Sequence, residues 1–220
     1  MSAALGLMLS GCAKLKTYTY KYKFTISVRD QGQLKTVSQV VSVQESTTEE
    51  RKAANPPKLC GEAAALQLRS GKTLFVLLKG VYHEQVSGQT QWQNSPTLVL
   101  LKRFGLETEW TYRSDSGIRL LPKINTEIDL QYYEMPDFVT FRNIRDPTTI
   151  QQVYSQNFEA VLGDGVTLER ATLQVTNEEV TRGRLLAVIP WLDAKKDFID
   201  GSRWGRTVQG YWSQYFVNCT

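Results

Sequence analysis

A strict alternation of side chains between residues 17 and 29 constrains the fold more than any other feature of the sequence. Aromatic and β-branched side chains take every second position, and polar or charged side chains take the positions between. A period of two is typical of a β-strand with one buried face and does not fit a helix. The residues of the apolar face are Tyr18, Tyr20, Tyr22, Phe24, Ile26 and Val28.

A return strand is predicted directly after this one. The connection is Asp30-Gln31-Gly32, in which Gly32 can supply the positive φ that short hairpin loops often need. The stretch "LKTVSQVVSV" that follows is rich in valine, which favours strands. We therefore expect a β-hairpin from residue 17 to about residue 44.

The remaining sequence predicts further strands and only a few short helices. "EAAALQL", the turn "RSGK" and "TLFVLLKG" predict a second hairpin, and "SGQTQWQN" predicts a loop. Ser95, Pro96 and Gly105 bracket a short helix, and Ser155 is a candidate N-cap for another that ends at Gly163. Strands are predicted in "LETEWTYRS", "GIRLLPKI", "EIDLQYY", residues 138–141, residues 166–175, residues 185–192 and the aromatic-rich C-terminus. The expected fold class is α+β and β-rich, an antiparallel sheet of hairpins with a few short helices.

Composition and charge argue against an arm that binds nucleic acid and against a membrane-spanning helix. The net charge is +4 over 220 residues, and no run of five like charges suggests an arm that binds nucleic acid. No apolar segment approaches the roughly 20 residues that a membrane-spanning helix needs.

The N-terminus carries the strongest motif. A short apolar run, residues 3–9, leads into Leu9-Ser10-Gly11-Cys12, which resembles the bacterial lipobox. The resemblance implies cleavage before Cys12 and diacylglycerol on its thiol. Residues 1–11 would then be a signal peptide, and residues 12–220 a single periplasmic domain held at a membrane by its lipid. The alternative interpretation is an apolar terminus with a chance cysteine.

Two further expectations depend on that motif. Signal peptides have Lys or Arg ahead of the apolar run, and only Met1 and Ser2 are there, so we expect the natural start to lie upstream. By resemblance to enteric sorting rules, Ala13 after the cysteine indicates the outer membrane. Lysines also cluster after Cys12, where they would contact anionic headgroups or form a solvated strand face. They are Lys14, Lys16, Lys21 and Lys23.

A lipid on Cys12 leaves two of the three cysteines, Cys60 and Cys219. An even pair in an oxidising compartment predicts one disulfide between them. The alternative is two unrelated thiols.

Motifs for catalysis or cofactor binding are incomplete. "RSGKT" resembles the end of a phosphate loop, but Leu66 stands where the first glycine belongs and a strand is predicted after Thr73, so we expect no nucleotide site. His83 is the only histidine, which argues against a histidine-based zinc site and a Ser-His-Asp triad. The acids in residues 193–201 lack the spacing of a calcium loop. No cofactor or metal is expected.

Acidic and aromatic residues do occur together in one region, in a pattern that suits a sugar-binding groove or a buried core. The acids are Asp115, Glu134 and Asp137, and the aromatics are Trp110, Tyr112, Tyr132 and Tyr133. Aromatics at strand spacing more often belong to a core.

One block of sequence resembles a known group of proteins. "DPTTI", "GDGVTL" and "IPWL", at residues 146–150, 163–168 and 189–192, resemble motifs of uncharacterised proteobacterial envelope proteins, often described as hypothetical lipoproteins. The resemblance covers about a quarter of the chain and implies no activity.

Three functional hypotheses follow. The first is a lipid-anchored envelope protein that binds or scaffolds a protein or glycan partner and has no catalytic centre. The second is a periplasmic enzyme that acts on glycan or peptidoglycan through paired carboxylates. The third is a soluble cytoplasmic domain.

Overall fold

The two longest strands form the hairpin that the alternation predicts. The computed structural model describes residues 16–47, 57–78, 83–86, 89–92, 96–106, 115–189, 191–194 and 217–218. Strand β1 (Lys16–Asp30) pairs with β2 (Gln33–Thr47) along its whole length. Gln31 and Gly32 both have positive φ, 49° and 83°, as a two-residue hairpin turn requires.

This hairpin is the centre of a six-stranded antiparallel sheet. Its order is β12 (Val217–Asn218), β3 (Lys58–Glu62), β2, β1, β11 (Val166–Val175) and β8 (Glu127–Asp129). Opposite Ser27 and Val28 the register of β11 shifts by one residue at Glu169, which is a β-bulge. The strand predicted over Val166–Val175 is confirmed.

A four-stranded antiparallel sheet packs against the first. Its order is β10 (Ile150–Val153), β9 (Phe138–Phe141), β5 (Thr73–Val76) and β4 (Ala64–Gln67). The pairing of β4 with β5 confirms the second predicted hairpin, and β9 confirms the buried strand at residues 138–141. Ala63 alone separates β3 from β4, so the chain passes directly from one sheet to the other.

A separate hairpin pairs β6 (His83–Val86) with β7 (Gln89–Trp92). The loop predicted from "SGQTQWQN" is therefore wrong for residues 89–92. Polar residues such as Gln and Thr gave no apolar alternation to detect, whereas strand pairing needs only the backbone N–H and C=O groups.

The space between the two large sheets is the main hydrophobic core. One face of each sheet contributes to it, and alternate residues of the inner strands are almost completely removed from solvent. Burying one such side chain stabilises the fold by about 1.5–3 kcal/mol. The core includes Tyr22, Phe24, Ile26, Val28, Val41, Leu74, Val76 and Leu173.

Two short helices cover the other face of the four-stranded sheet. They are α4 (Leu185–Val188) and α5 (Trp191–Ala194), and they pack on Phe75, Phe141 and Ile150. The strand predicted over residues 185–192 is therefore wrong. Leu185, Ile189 and Leu192 are all buried, and their spacing of four and three residues is the period of a helix face.

The other helices support one prediction and correct another. Helix α1 (Pro96–Arg103) starts at the expected proline, and Gly105 follows it with a positive φ of 65°. The strand predicted in "GIRLLPKI" is instead α2 (Asp115–Leu120) followed by a 3-10 turn (Leu121–Lys123). Pro122 has no N–H to donate to a neighbouring strand, which favours the turn.

The remaining short elements also come mostly as expected. Helix α3 (Phe158–Leu162) ends at Gly163, but Asn157 rather than Ser155 precedes it. The strand predicted in "EIDLQYY" is confirmed only over its first three residues, which form β8, and a 3-10 turn follows at Tyr132–Glu134. A further 3-10 turn covers Pro147–Thr149. Ser95, the strand predicted after Leu106 and most of the last predicted strand lie outside the described residues.

The fold is β-rich α+β, with antiparallel sheets and a few short helices, as the sequence predicts. Among the described helices, none has the length and apolar character that crossing a bilayer requires.

Candidate functional site

The start of β1 is the described part of the large sheet that is nearest to Cys12 in the sequence. Lys16 pairs with Thr47 there, and we call this the proximal end. Cys12 lies outside the described residues, but Lys16 follows it by only four positions in the sequence. Four successive residues span at most about 14 Å. Any group attached to Cys12 would therefore lie close to this end of the sheet.

A buried polar network lies towards the proximal end, between β1, β2 and α1. The hydroxyls of Tyr20 and Thr97 are 2.9 Å apart, and the Thr97 hydroxyl donates to the carboxylate of Glu45. All three residues are almost completely buried. Sequence reasoning missed this network, although Glu45 continues the inward-facing positions of β2. A threonine beside a carboxylate resembles a nucleophile and its base, but burial places Thr97 out of reach of a substrate.

The lysines that follow Cys12 are used within the protein. The Lys21 ammonium donates to the carbonyls of Asn177 and Glu178 at 2.8 and 2.6 Å. Lys23 pairs with the Glu178 carboxylate at 2.9 Å. These two lysines therefore hold a segment of their own chain in place, and lipid headgroups would have to compete with it. Lys14 lies outside the described residues.

The segment that these lysines hold, residues 176–185, crosses the outer face of the large sheet, and we call it the strap. Thr181 donates its N–H to the Val40 carbonyl of β2 and accepts from the Val40 N–H through its hydroxyl. The strap ends at the buried Glu62 of β3, whose carboxylate accepts from the N–H groups of Arg184 and Leu185 at 2.8 and 3.3 Å. The strap thus joins β11 to α4.

Cys60 lies beneath the strap in β3. Its sulfur is disulfide-bonded, and an Nη2 of Arg182 lies 3.0 Å from it. Cys219 lies outside the described residues, so its pairing with Cys60 stays a prediction. The two residues before it do pair with β3, Val217 with Glu62 and Asn218 with Gly61.

The "RSGKT" segment is a turn followed by a strand. Residues 68–72 connect β4 to β5, and the side chains of Ser70 and Lys72 donate to the carbonyls of Leu162 and Val161 at the end of α3. A phosphate loop would instead open a helix whose N–H groups face the phosphate. Lys72 therefore serves as a cap for α3.

We expect Lys72→Ala to affect stability and not nucleotide binding. Loss of a charged donor to a partly buried carbonyl should lower the free energy of unfolding by about 1–2 kcal/mol, as measured by urea unfolding. Calorimetric titration with ATP should give no binding heat with either protein. Micromolar ATP binding that disappears in the variant would contradict this assignment.

A buried carboxylate occupies the opposite end of the sheet. Asp30 is fully buried next to the hairpin turn, where Oδ2 accepts from Lys35 Nζ at 2.8 Å and from the Arg69 N–H at 2.9 Å. Its other oxygen, Oδ1, has no hydrogen-bond partner among the described residues. Burial raises the pKa of Asp30, but the bonds from Lys35 and Arg69 together outweigh it and leave the pKa below its usual value.

The lowered pKa of Asp30 predicts a loss of stability in acid. A carboxyl with a lower pKa in the folded state stabilises the fold above its unfolded pKa, about 3.9, and this contribution is lost as pH falls through the folded pKa. Asp30→Asn should therefore be less stable than the parent at pH 7. We expect the gap to narrow below about pH 4 in thermal melts. A gap that stays constant down to pH 2 would refute the charge assignment.

Of the three acids considered for sugar chemistry, Glu134 is the one whose bonds the structure describes in full. Glu134 is buried and takes two bonds from the Arg103 guanidinium, Nε to Oε1 at 2.9 Å and Nη2 to Oε2 at 2.6 Å, with a third from the Gln131 N–H at 2.8 Å. Asp137 is also buried, and Asp115 begins α2. Trp110 and Tyr112 lie outside the described residues. Glu134 is thus a structural carboxylate, held by the end of α1.

We expect Arg103→Ala to cost about 2–3 kcal/mol in chemical unfolding, because Glu134 would keep a buried charge without its cation. Arg170→Ala is the matched control. Arg170 also bonds carboxylates, those of Asp129 and Glu127, but all three side chains are exposed to solvent. Its replacement should leave the unfolding midpoint within error. Equal effects of the two variants would contradict the role given to burial.

A small cavity lies between the sheets beside Gln39. A water molecule can occupy about 20 Å³ of it. Ligand pockets are usually several hundred Å³, so this space suits one water rather than a substrate. Its lining includes Tyr22, Gln39, Leu77, Leu130, Glu134 and Leu173.

Metal chemistry finds no support in the described residues. No three His, Cys, Asp or Glu side chains among them come together as ion ligands. His83 begins β6, and most of residues 193–201 lie outside the described part of the chain.

Comparison with known proteins adds no relative. No protein-family model, curated protein or solved structure matches this chain.

Proposed function

We propose that this chain is a lipid-anchored protein of the bacterial cell envelope, facing the periplasm, that binds or scaffolds a partner. The observation that carries the proposal is Leu9-Ser10-Gly11-Cys12, placed after an apolar run. A diacylglycerol on Cys12 would bury two acyl chains, and two chains are enough for stable anchoring. By the resemblance of Ala13 to enteric sorting rules, the membrane would be the outer one.

The position of Lys16 in the fold supports this proposal. Lys16 starts a strand at the centre of the large sheet only four residues after Cys12. A lipid there would hold the folded part close to the bilayer, with the Asp30 end of the 15-residue strand pointing away. At about 3.3 Å per residue, that end would stand roughly 50 Å farther out.

Several carboxylates are bonded within the protein itself, which favours a binding function over a catalytic one. Asp30, Glu62 and Glu134 are buried acids whose described bonds hold turns and helix ends. A general acid or base must instead reach a substrate proton. Among the described residues, the second candidate, an enzyme acting on glycan, is favoured by Tyr132, which is 54% exposed beside the ring of Tyr133.

Mass spectrometry of the protein extracted from cell membranes tests the proposal. We expect a chain that begins at Cys12 and carries diacylglycerol on that residue. A chain that retains residues 1–11, or an unmodified Cys12, would overturn the anchoring. Cross-linking in intact cells, followed by purification of the tagged protein from membranes, would then identify the partner. Parallel cells that express Cys12→Ala would show which cross-links need the anchor.

A further inference from the structure

Tyr22 carries a buried hydroxyl that has no hydrogen-bond partner among the described residues. The residue lies on the inner face of β1 and keeps only 2% of its surface exposed. Burial raises its pKa, so the proton stays on the oxygen and the hydroxyl remains a donor. On the same strand, the hydroxyl of Tyr20 lies 2.9 Å from that of Thr97. Because a buried O–H group without an acceptor costs free energy, we expect the Tyr22 hydroxyl to bond a molecule other than the protein itself.

The small cavity between the two sheets borders this side chain. Its free space of about 20 Å³ exceeds the roughly 10–15 Å³ that one water molecule needs, and it is far too small for an organic ligand. Two further polar side chains line the cavity, those of Gln39 and Glu134, and the rest of its lining is apolar. A buried water makes about three hydrogen bonds, so these polar side chains define where it would bind.

Gln39 offers the acceptor that such a water needs. It lies diagonally across from Tyr22 on β2, two positions from the residue that pairs with Tyr22, so both side chains point to the same face. The Gln39 side-chain oxygen accepts from the Ala64 N–H, and its Nε2 donates to the Leu77 carbonyl. An amide oxygen has two lone pairs, so Gln39 Oε1 can accept one more bond. The Glu134 carboxylate is less available, because three described bonds already hold it.

We propose that this cavity is a binding site for one water molecule, which accepts a hydrogen bond from the Tyr22 hydroxyl and donates one to Gln39 Oε1. Gln39 already joins β2 to the four-stranded sheet through its bonds to Ala64 and Leu77. The water extends this polar connection to β1, so the central hairpin and the second sheet are joined within the largely apolar core. The site depends neither on the lipid nor on the proposed function.

Tyr22→Phe has opposite effects on stability with and without the water. If the water is bound, the variant loses a hydrogen bond, and the equilibrium constant for unfolding of the full chain should rise about fivefold in urea titrations. If the hydroxyl has no partner, its removal relieves the cost of burying it, and stability would stay unchanged or increase. Either of these last two results would overturn the proposal. Tyr20→Phe, which loses its contact with the Thr97 hydroxyl, gives the scale of the effect.

A high-resolution crystal structure tests the position of the water. In the full chain carrying Cys12→Ser, we expect an electron-density peak within about 3 Å of both Tyr22 Oη and Gln39 Oε1. In crystals that also carry Tyr22→Phe, the peak should be weakened or absent, because the water has lost one of its partners. A cavity without density in the parent, or a peak of unchanged strength in the variant, would refute the assigned partners.

Discussion

Cys12→Ala is expected to move the protein from the membrane fraction to the soluble fraction, or to leave an uncut precursor. The Cys12 sulfur is the group that would accept diacylglycerol, and alanine offers no nucleophile in its place. Each buried CH2 of an acyl chain contributes about 0.8 kcal/mol to membrane binding, so loss of two chains removes the anchor. Fractionation of cells that express each form measures the effect.

The matched control for this experiment is Ser10→Ala. It exchanges one small residue for another in the same motif, so cleavage and membrane attachment should continue. If Cys12→Ala fractionates with membranes like the parent, the lipobox interpretation is wrong. If both variants become soluble, the segment acts through some property other than the thiol of Cys12.

Cys219→Ser is expected to cause the largest loss of stability. The predicted disulfide between Cys60 and Cys219 would close the long loop between these two residues. For a loop of that length the chain-entropy model gives a stabilisation of about 4–5 kcal/mol, and strain usually reduces it. We therefore expect the free energy of unfolding to fall by about 2–5 kcal/mol in guanidinium titrations without reductant. The stability of Cys60→Ser should fall by a similar amount, because either change would remove the predicted Cys60–Cys219 bond.

The double variant of Cys60 and Cys219 separates a disulfide from two independent thiols. If the two residues share one bond, the double variant should be about as stable as each single variant. Additive losses would show that the cysteines act separately. Thiol counting on denatured, unreduced parent protein should find neither Cys60 nor Cys219 free.

Strands with a period-two pattern can be predicted from the sequence, because the pattern lies within a single strand. The alternation before Asp30, the turn at Gly32 and the valines after it together specify the central hairpin. Helix α1 was likewise predicted from its own proline and glycine. In each case local sequence and tertiary packing favour the same structure.

Other features of the fold depend on contacts between residues that are distant in sequence, which no local pattern reveals. The apolar sequence of residues 185–192 predicts a strand. In the structure, the buried Glu62 accepts a hydrogen bond from the backbone at the start of α4, although it lies more than a hundred residues away in the sequence. The sequence predicts the turn that contains Lys72, but only the fold shows that this lysine donates to the end of α3. The network of Tyr20, Thr97 and Glu45 could not be predicted for the same reason.

The position of β1 has a mechanical consequence if the chain is held at Cys12. Tension from the membrane would enter the fold at Lys16 and run along β1, which lies between β2 and β11. Hydrogen bonds of antiparallel strands are perpendicular to the strands, so a pull along β1 would load many of them together in shear. Pulling an edge strand sideways would break such bonds one after another. This attachment would therefore let the sheet resist forces that separate the cell envelope from whatever the protein holds.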